Sequence, residues 1–130
     1  MIVGTGIDLV EVDRVRTLLS GREARALRRL FTDGEVAYVS VRAEPWPHYA
    51  ARVAAKEAAY KALAGTVGAR AIGWREIEVV NGWDGRPTLQ LHGRAAERAA
   101  ELAVTSIHLS LTHTRGMAAA FVVLESVPSH

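Results

Sequence analysis

The sequence predicts an α+β fold in which an antiparallel sheet packs with a long central helix. Three observations lead there. Residues 49–64 are rich in alanine and free of proline and glycine, which makes them the strongest helical stretch in the chain. The C-terminal half instead alternates apolar and polar residues in short runs separated by turn residues. The N-terminus opens on an Ile- and Val-rich run interrupted by Gly4 and Gly6, as a strand does where another backbone comes close. At 130 residues with 49% hydrophobic content, the chain suits one domain over 1–130.

Residues 2–10 read as a buried strand with Asp8 near its end. Residues 12–20 follow as a helix, because Val12, Val15, Leu18 and Leu19 recur at helical spacing. A second helical piece covers about 22–30, with Ala24, Leu27 and Leu30 on one face and Gly21 separating it from the first. Thr32-Asp33-Gly34-Glu35 matches a capping box, so a short helix should start there and run to about residue 41. The prolines of Glu44-Pro45-Trp46-Pro47-His48 predict a loop over 42–48. After the helix of 49–64, Gly65 and Gly68 supply the stop. Residues 74–81 read as a strand, Asn81-Gly82-Trp83-Asp84-Gly85 as a hairpin turn, and 88–92 as the return strand. A helix over 93–103 and a hairpin of 105–113 with 117–125, turned at Gly116, complete the chain. Ile107, Leu109 and Leu111 should face inward, with His108 and Ser110 outward.

Composition narrows the chemistry. There is no cysteine, which excludes disulfides, thiolate zinc sites and a cysteine nucleophile. The N-terminus lacks the pattern of a signal peptide and no apolar run approaches a membrane span, so the cytoplasm is the expected compartment. The net charge is only +2, but Arg14, Arg16, Arg22, Arg25, Arg28 and Arg29 form a stripe opposed only by Asp13 and Glu23. Such a stripe is either a solvated helix face or a docking surface for an acidic partner. Nucleic acid is disfavoured, since no recognition motif and no interleaved aromatics accompany the arginines. Lysine occurs only at Lys56 and Lys61, in one segment.

Three places carry candidate chemistry. Asp8 at the end of an apolar strand needs a partner: a salt bridge, a helix cap, or a hard cation shared with a second carboxylate. Glu57 and Lys61 lie four apart and share one helix face, either as a surface pair or as a metal-binding carboxylate beside a phosphate-binding cation. Arg52 lies five positions before Glu57 and is a further phosphate-binding candidate. His113 ends a strand between Thr112 and Thr114, in a surface position or as part of a polar mouth for phosphate or ribose.

In sequence order, Gly6-Ile7-Asp8-Leu9-Val10-Glu11, Leu30-Phe31-Thr32-Asp33-Gly34-Glu35, Arg52-Val53-Ala54-Ala55-Lys56-Glu57-Ala58 with Lys61-Ala62, Asp84-Gly85-Arg86-Pro87, and Ser110-Leu111-Thr112-His113 with the alanine-rich strand to Glu125 resemble five motifs of one family. It is the small single-domain holo-acyl-carrier-protein synthase family of 4'-phosphopantetheinyl transferases, and the resemblance covers essentially the whole chain. It implies that family's fold and the magnesium-dependent transfer of 4'-phosphopantetheine from coenzyme A to a serine of an apo acyl carrier protein, with 3',5'-ADP leaving. It implies Asp8 and Glu57 as magnesium ligands, and Lys61 neutralising charge on the phosphate that is attacked or that leaves. The catalytic set is then Asp8, Glu57 and Lys61, with Glu57, directly or through a magnesium-bound water, as candidate base for the serine proton. Arg52, Lys61, Gly85, Arg86, Pro87, Thr112 and His113 would bind coenzyme A. Arg14, Arg22, Arg25 and Arg28 would dock the acidic helix of the carrier protein, whether of fatty acid or polyketide synthesis. A homotrimer with sites between subunits is implied as well, in which the strand of 105–113 serves a neighbour.

The sequence departs from the family pattern at Val53, where an aromatic is usual, at Thr112, where serine is frequent, and at Thr114, where an acidic residue is common. Three other readings compete. An inactive docking module explains the arginine stripe but not Asp8, Glu57 and Lys61 together. A metal-dependent nuclease or nucleotide hydrolase explains the carboxylates but not the order of the five motifs. A structural trimer without chemistry is opposed by the coupled carboxylate and lysine positions.

Overall fold

The computed structural model describes residues 1–20 and 23–127. Strand β1 (Ile2–Glu11) runs directly into helix α1 (Val12–Leu19), followed by α2 (Glu23–Leu30), α3 (Asp33–Ser40) and the long α4 (Pro45–Leu63). Two short 3-10 turns, Gly68–Ala71 and Trp74–Glu76, lead to the hairpin of β2 (Ile77–Asn81) and β3 (Pro87–Leu91). Helix α5 (Gly93–Glu101) then precedes β4 (Ser106–His113) and β5 (Met117–Glu125). The antiparallel pairing divides between two sheets, one ordered β1-β5-β4 and the other the β2-β3 hairpin.

Helix α4 is the axis of the fold. Its alanines Ala54, Ala55, Ala58, Ala59 and Ala62 are buried against Val122 and Leu124 of β5 and against Ile77 and Val79 of β2. Small side chains permit this close packing, and Gly6 takes it to its limit. A methyl group at Gly6 would collide with the Ala58 carbonyl oxygen, and one at Gly4 with that of Ala62. Strand β1 therefore lies directly on α4, which fixes Asp8 beside the helix. A second apolar cluster, with Phe31, Val39, Tyr49 and Leu19, fills the space between α4 and the first three helices.

Helix α4 begins four residues earlier than the sequence predicts. Pro45 and Pro47 sit in its first turn, where backbone amides have no intrahelical acceptor and a proline costs nothing. The expected loop over 42–48 is thus only a short bend. The capping box forms as expected: Thr32 Oγ1 accepts the Glu35 N–H at 3.2 Å, and Glu35 Oε1 accepts the Thr32 N–H at 2.9 Å. Glu35 is also wholly buried, and its carboxylate receives Lys56 Nζ at 2.8 Å and the Val79 N–H at 2.9 Å. Lys56 completes its bonding with the carbonyls of Trp74 and Ile77. This ion pair bolts α3, α4 and β2 together.

Three expectations of facing are corrected. Strand β1 is buried on one side only, with Ile7 and Leu9 each 66% exposed on the other. Leu18 of α1 faces solvent, because Val12, Val15 and Leu19 already fill the buried stripe of a two-turn helix. Trp74 belongs to a 3-10 turn, so the strand expected over 74–81 starts only at Ile77.

Candidate active site

Asp8 pairs across the sheet with Ala120, whose side chain is buried, so Asp8 lies on the face that β1 turns to α4. Lys61 reaches over from the C-terminal part of α4. Its Nζ donates to Asp8 Oδ1 at 3.0 Å and to the Ile7 carbonyl at 3.0 Å. Glu57, one turn earlier on the same face, joins them electrostatically. Partial burial pushes its carboxyl above the usual 4.5, the negative charge of Asp8 adds to this, and Lys61 and Arg14 pull the other way. The sequence motif of two carboxylates and a lysine is therefore one constellation in space, with Arg14 of α1 close enough to act on it.

A carboxylate whose ionisation is made costlier by burial and by a second carboxylate beside it favours a cation. Among the described residues no group of three or more His, Asp or Glu forms a complete metal site. Asp8 and Glu57 supply two oxygen donors, which suits magnesium, since that ion keeps several waters and takes its remaining oxygens from phosphate. The donor set fits the ion that the sequence implies. Beside Glu57 opens a cavity of about 260 Å³, walled by Tyr60, Ile72, Trp74 and Ile77, with Arg70 at its edge.

Arg52 and His113 belong to a separate cluster. Five positions separate Arg52 from Glu57, which turns the two side chains about 140° apart around α4. Arg52 is buried, donates from Nη2 to Asn81 Oδ1 at 2.6 Å and from Nη1 to the His48 carbonyl at 3.4 Å, and keeps its Nε without a partner. Two guanidinium groups lie against the Tyr38 ring, that of Arg42 at 3.9 Å and that of Arg52 at 4.8 Å from the ring centre. His113, at the end of β4, meets the edge of His48 with ring centres 5.0 Å apart. Asn81 ties this cluster to the hairpin turn, because its Nδ2 donates to the Gly85 carbonyl at 3.1 Å. Gly85 adopts φ +81°, which only glycine takes readily, and closes the turn by donating to the Gly82 carbonyl. Asp84 Oδ1 accepts the Arg86 N–H at 3.0 Å, and Pro87 opens β3 opposite Asn81.

Thr112 departs from its neighbour. Strand alternation turns it to the outer face, into a shallow groove shared with Ile7, Ser110 and Phe121, away from Asp8 of the same chain. Arg14, Arg25 and Arg28 are exposed on α1 and α2, and Arg22 lies outside the described residues. Sequence reasoning missed Arg42, His48 and Asn81, because their partners lie on other elements. It also passed over Tyr60 and Arg70, although Tyr60 stands three positions after Glu57 and Arg70 follows the glycine exit of α4.

Comparison with known proteins supplies the family. The profile of the 4'-phosphopantetheinyl transferase superfamily matches residues 4–122, and the chain belongs to that superfamily. Within it, a holo-[acyl-carrier-protein] synthase of Solibacter usitatus (strain Ellin6076) is 47% identical over 126 residues, which cover 97% of this chain and all of that one. Two solved structures extend the likeness. A holo-(acyl-carrier-protein) synthase from Bacillus anthracis in complex with CoA (3',5'-ADP) superposes with a TM-score of 0.77 at 32% identity, covering 98% of this chain and 99% of that one. The acyl carrier protein synthase of Mycobacterium tuberculosis gives 0.73 at 39% identity, covering 98% and 100%. The chain is thus an enzyme of the holo-acyl-carrier-protein synthase type, with their α+β fold.

Proposed function

We propose that the chain carries 4'-phosphopantetheine from coenzyme A to a serine of an apo acyl carrier protein in a magnesium-dependent reaction, acting in the cytoplasm. The observation that carries this reading is the meeting of Asp8, Glu57 and Lys61 across β1 and α4. Asp8 and Glu57 would hold the magnesium ion, which supplies charge neutralisation at the coenzyme A pyrophosphate. Lys61, half-exposed beside Asp8, would neutralise a phosphate oxygen. The serine Oγ bonds to the β-phosphorus, the pyrophosphate P–O bond breaks, and 3',5'-ADP leaves with its electron pair. The serine proton would go to Glu57, directly or through a magnesium-bound water. The cavity beside Glu57 is the candidate seat for the pantetheine arm.

Coenzyme A carries phosphates at two places, its pyrophosphate and its ribose. Arg52, Arg86, Gly85, Pro87 and His113 form the nucleotide end of the reading. Because Arg52 and Glu57 point to different sides of α4, a site completed by a neighbouring subunit is the economical arrangement. The outward face of β1, β4 and β5 supports a homotrimer, since it exposes Ile7 and Leu9 at 66% each and Phe121 at 45%, with Thr112 among them. The exposed arginines of α1 and α2, with Leu18 as an apolar anchor beside Arg14, are the proposed dock for the carrier's acidic helix.

The test is product analysis. With coenzyme A, magnesium and an apo carrier, chromatography should show 3',5'-ADP formed in step with loss of coenzyme A. Hydrolysis of coenzyme A without a carrier, or release of any other nucleotide, would contradict the reading.

A further inference from the structure

Helix α4 ends at Leu63, just after Lys61, and its last carbonyls need donors from outside the helix. A side chain of α5 supplies them. Arg98 Nε donates to the Leu63 carbonyl at 2.7 Å, and Nη2 donates to that of Ala64 at 3.2 Å. The remaining nitrogen, Nη1, donates to Glu101 Oε2 at 3.0 Å, and only 13% of the Arg98 side chain is exposed. A cation in this place also answers the negative end of the helix dipole. Gly65, at φ +124°, turns the chain directly against the guanidinium: a methyl group there would stand 3.2 Å from Arg98 Nη2.

The loop of 64–73 that follows carries Arg70, Ile72 and Gly73 to the cavity beside Glu57, whose other walls are α4, Trp74 and Ile77. Helix α5 backs the loop from the far side. Arg94, one turn before Arg98 on the same face of α5, donates from Nη1 to the Ala71 carbonyl at 3.3 Å. The backbone N–H groups of Arg94 and Gly73 are both accepted by the Glu76 carboxylate. Between these two anchors the packing is loose. A cavity of about 160 Å³ has Thr66, Ala69 and Ala71 on one side and Arg94, Glu97 and Arg98 on the other, and Val67 is 81% exposed. Hydrogen bonds from α5, more than apolar contact, therefore set where the loop lies.

We infer that Arg98 is a positioning residue for the transfer: by capping α4 it fixes the loop of 64–73 as a wall of the Glu57 cavity, and so sets the grip on the pantetheine arm without touching it. The inference rests on the coenzyme A reading above, which seats the arm in that cavity. A wall held in place beforehand favours binding, because a segment that must be ordered as the ligand arrives subtracts from affinity. The product 3',5'-ADP has no arm, so its binding should be indifferent to Arg98.

The experiment measures the dissociation constants of coenzyme A and of 3',5'-ADP by titration calorimetry, beside KM and kcat, for the wild type, R98M, R98K, R94Q and I72A. R98M should weaken coenzyme A roughly tenfold, the scale of a hydrogen bond lost, and raise its KM in step. Binding of 3',5'-ADP should stay unchanged, and kcat should move less than KM. R98K, which keeps a charged donor, should recover part of the loss, and R94Q should shift coenzyme A in the same direction. If R98M does not fold, R98K and R94Q carry the same comparison. I72A trims the wall itself and should weaken coenzyme A alone. Equal weakening of both ligands in the Arg98 variants would show a general structural role and overturn the inference, as would a fall in kcat with KM unchanged. Unchanged coenzyme A binding in the Arg98 and Arg94 variants, with I72A weakened, would overturn the inference and leave the coenzyme A reading standing. Unchanged binding in I72A as well would remove the arm from this cavity and overturn both.

Discussion

Lys61 Nζ stands 3.0 Å from Asp8 Oδ1, joining residues 53 positions apart. The contact exists because Gly6 lets β1 lie on α4 without a side chain between them. Both partners remain open to solvent, Lys61 at 51% and Asp8 at 18%, so the pair is a poor source of stability. Replacing Lys61 by alanine should therefore leave the melting temperature nearly unchanged while lowering kcat about 10²–10³-fold, the usual loss when a donor to developing charge is removed. Steady-state kinetics beside thermal melts would check this, and equal kcat in the variant would remove Lys61 from the reaction.

Gly6 is the structural counterpart of that contact. Gly6→Ala would force β1 off α4, because the added methyl meets the Ala58 carbonyl oxygen and neither backbone can yield. A loss of at least about 2 kcal/mol is expected from such overpacking, together with loss of turnover as Asp8 moves from Glu57. Urea unfolding of the variant measures the first, and activity of the fraction that stays folded measures the second.

The buried Glu35–Lys56 pair predicts an asymmetry. Lys56→Met alone leaves a buried carboxylate without its cation and should cost about 3–5 kcal/mol. Lys56→Met combined with Glu35→Gln should recover much of this, because no charge then remains buried. Equal destabilisation in the single and double variants would show that packing rather than charge sets the cost.

Glu78 makes stability depend on acid pH. Its partial burial raises the carboxyl, but the Thr32 hydroxyl at 2.6 Å and His92 at 2.9 Å outweigh that and hold it below the usual 4.5. A depressed carboxyl contributes stability that is present above the unfolded value and lost as pH falls through the folded value. The stability advantage of wild type over Glu78→Gln should accordingly be full above about pH 4.5 and shrink below it. Denaturation curves collected from pH 3 to pH 6, roughly the range over which an ordinary carboxyl titrates, would show this convergence.

Docking through arginine predicts a separable effect on the carrier. Arg25→Glu with Arg28→Glu reverses two exposed charges on α2, neither belonging to the Asp8–Glu57–Lys61 or the Arg52–His113 group. KM for the carrier should rise at least about tenfold and lose its dependence on salt, while KM for coenzyme A stays unchanged. A parallel rise in both would place these arginines elsewhere in the reaction.

Much of this was legible in the sequence where the signal is local. The capping box at Thr32 and Glu35, the turn at Asn81–Gly85 and the helical spacing of Glu57 and Lys61 all depend on residues within a few positions of one another. What failed depends on position in the fold. An apolar run such as Ile7-Asp8-Leu9-Val10 does not say which side is covered, and here one side is open. Pro45 and Pro47 read as loop residues because their harm is confined to helix interiors, and both fall in the first turn of α4. Arg52 was readable as a phosphate candidate from its place five positions before Glu57. Its contact with Asn81 and the meeting of His48 with His113 were not, since they join α4 to β2 and β4, distant in sequence.

The most direct test of the central claim is the intact mass of an apo acyl carrier protein after incubation with the enzyme, coenzyme A and magnesium. The account predicts a gain of one phosphopantetheine group on a single serine, abolished by EDTA and in Asp8→Ala and Glu57→Ala. An unchanged carrier mass across several carriers, with coenzyme A bound, would contradict it, as would a full gain in either variant.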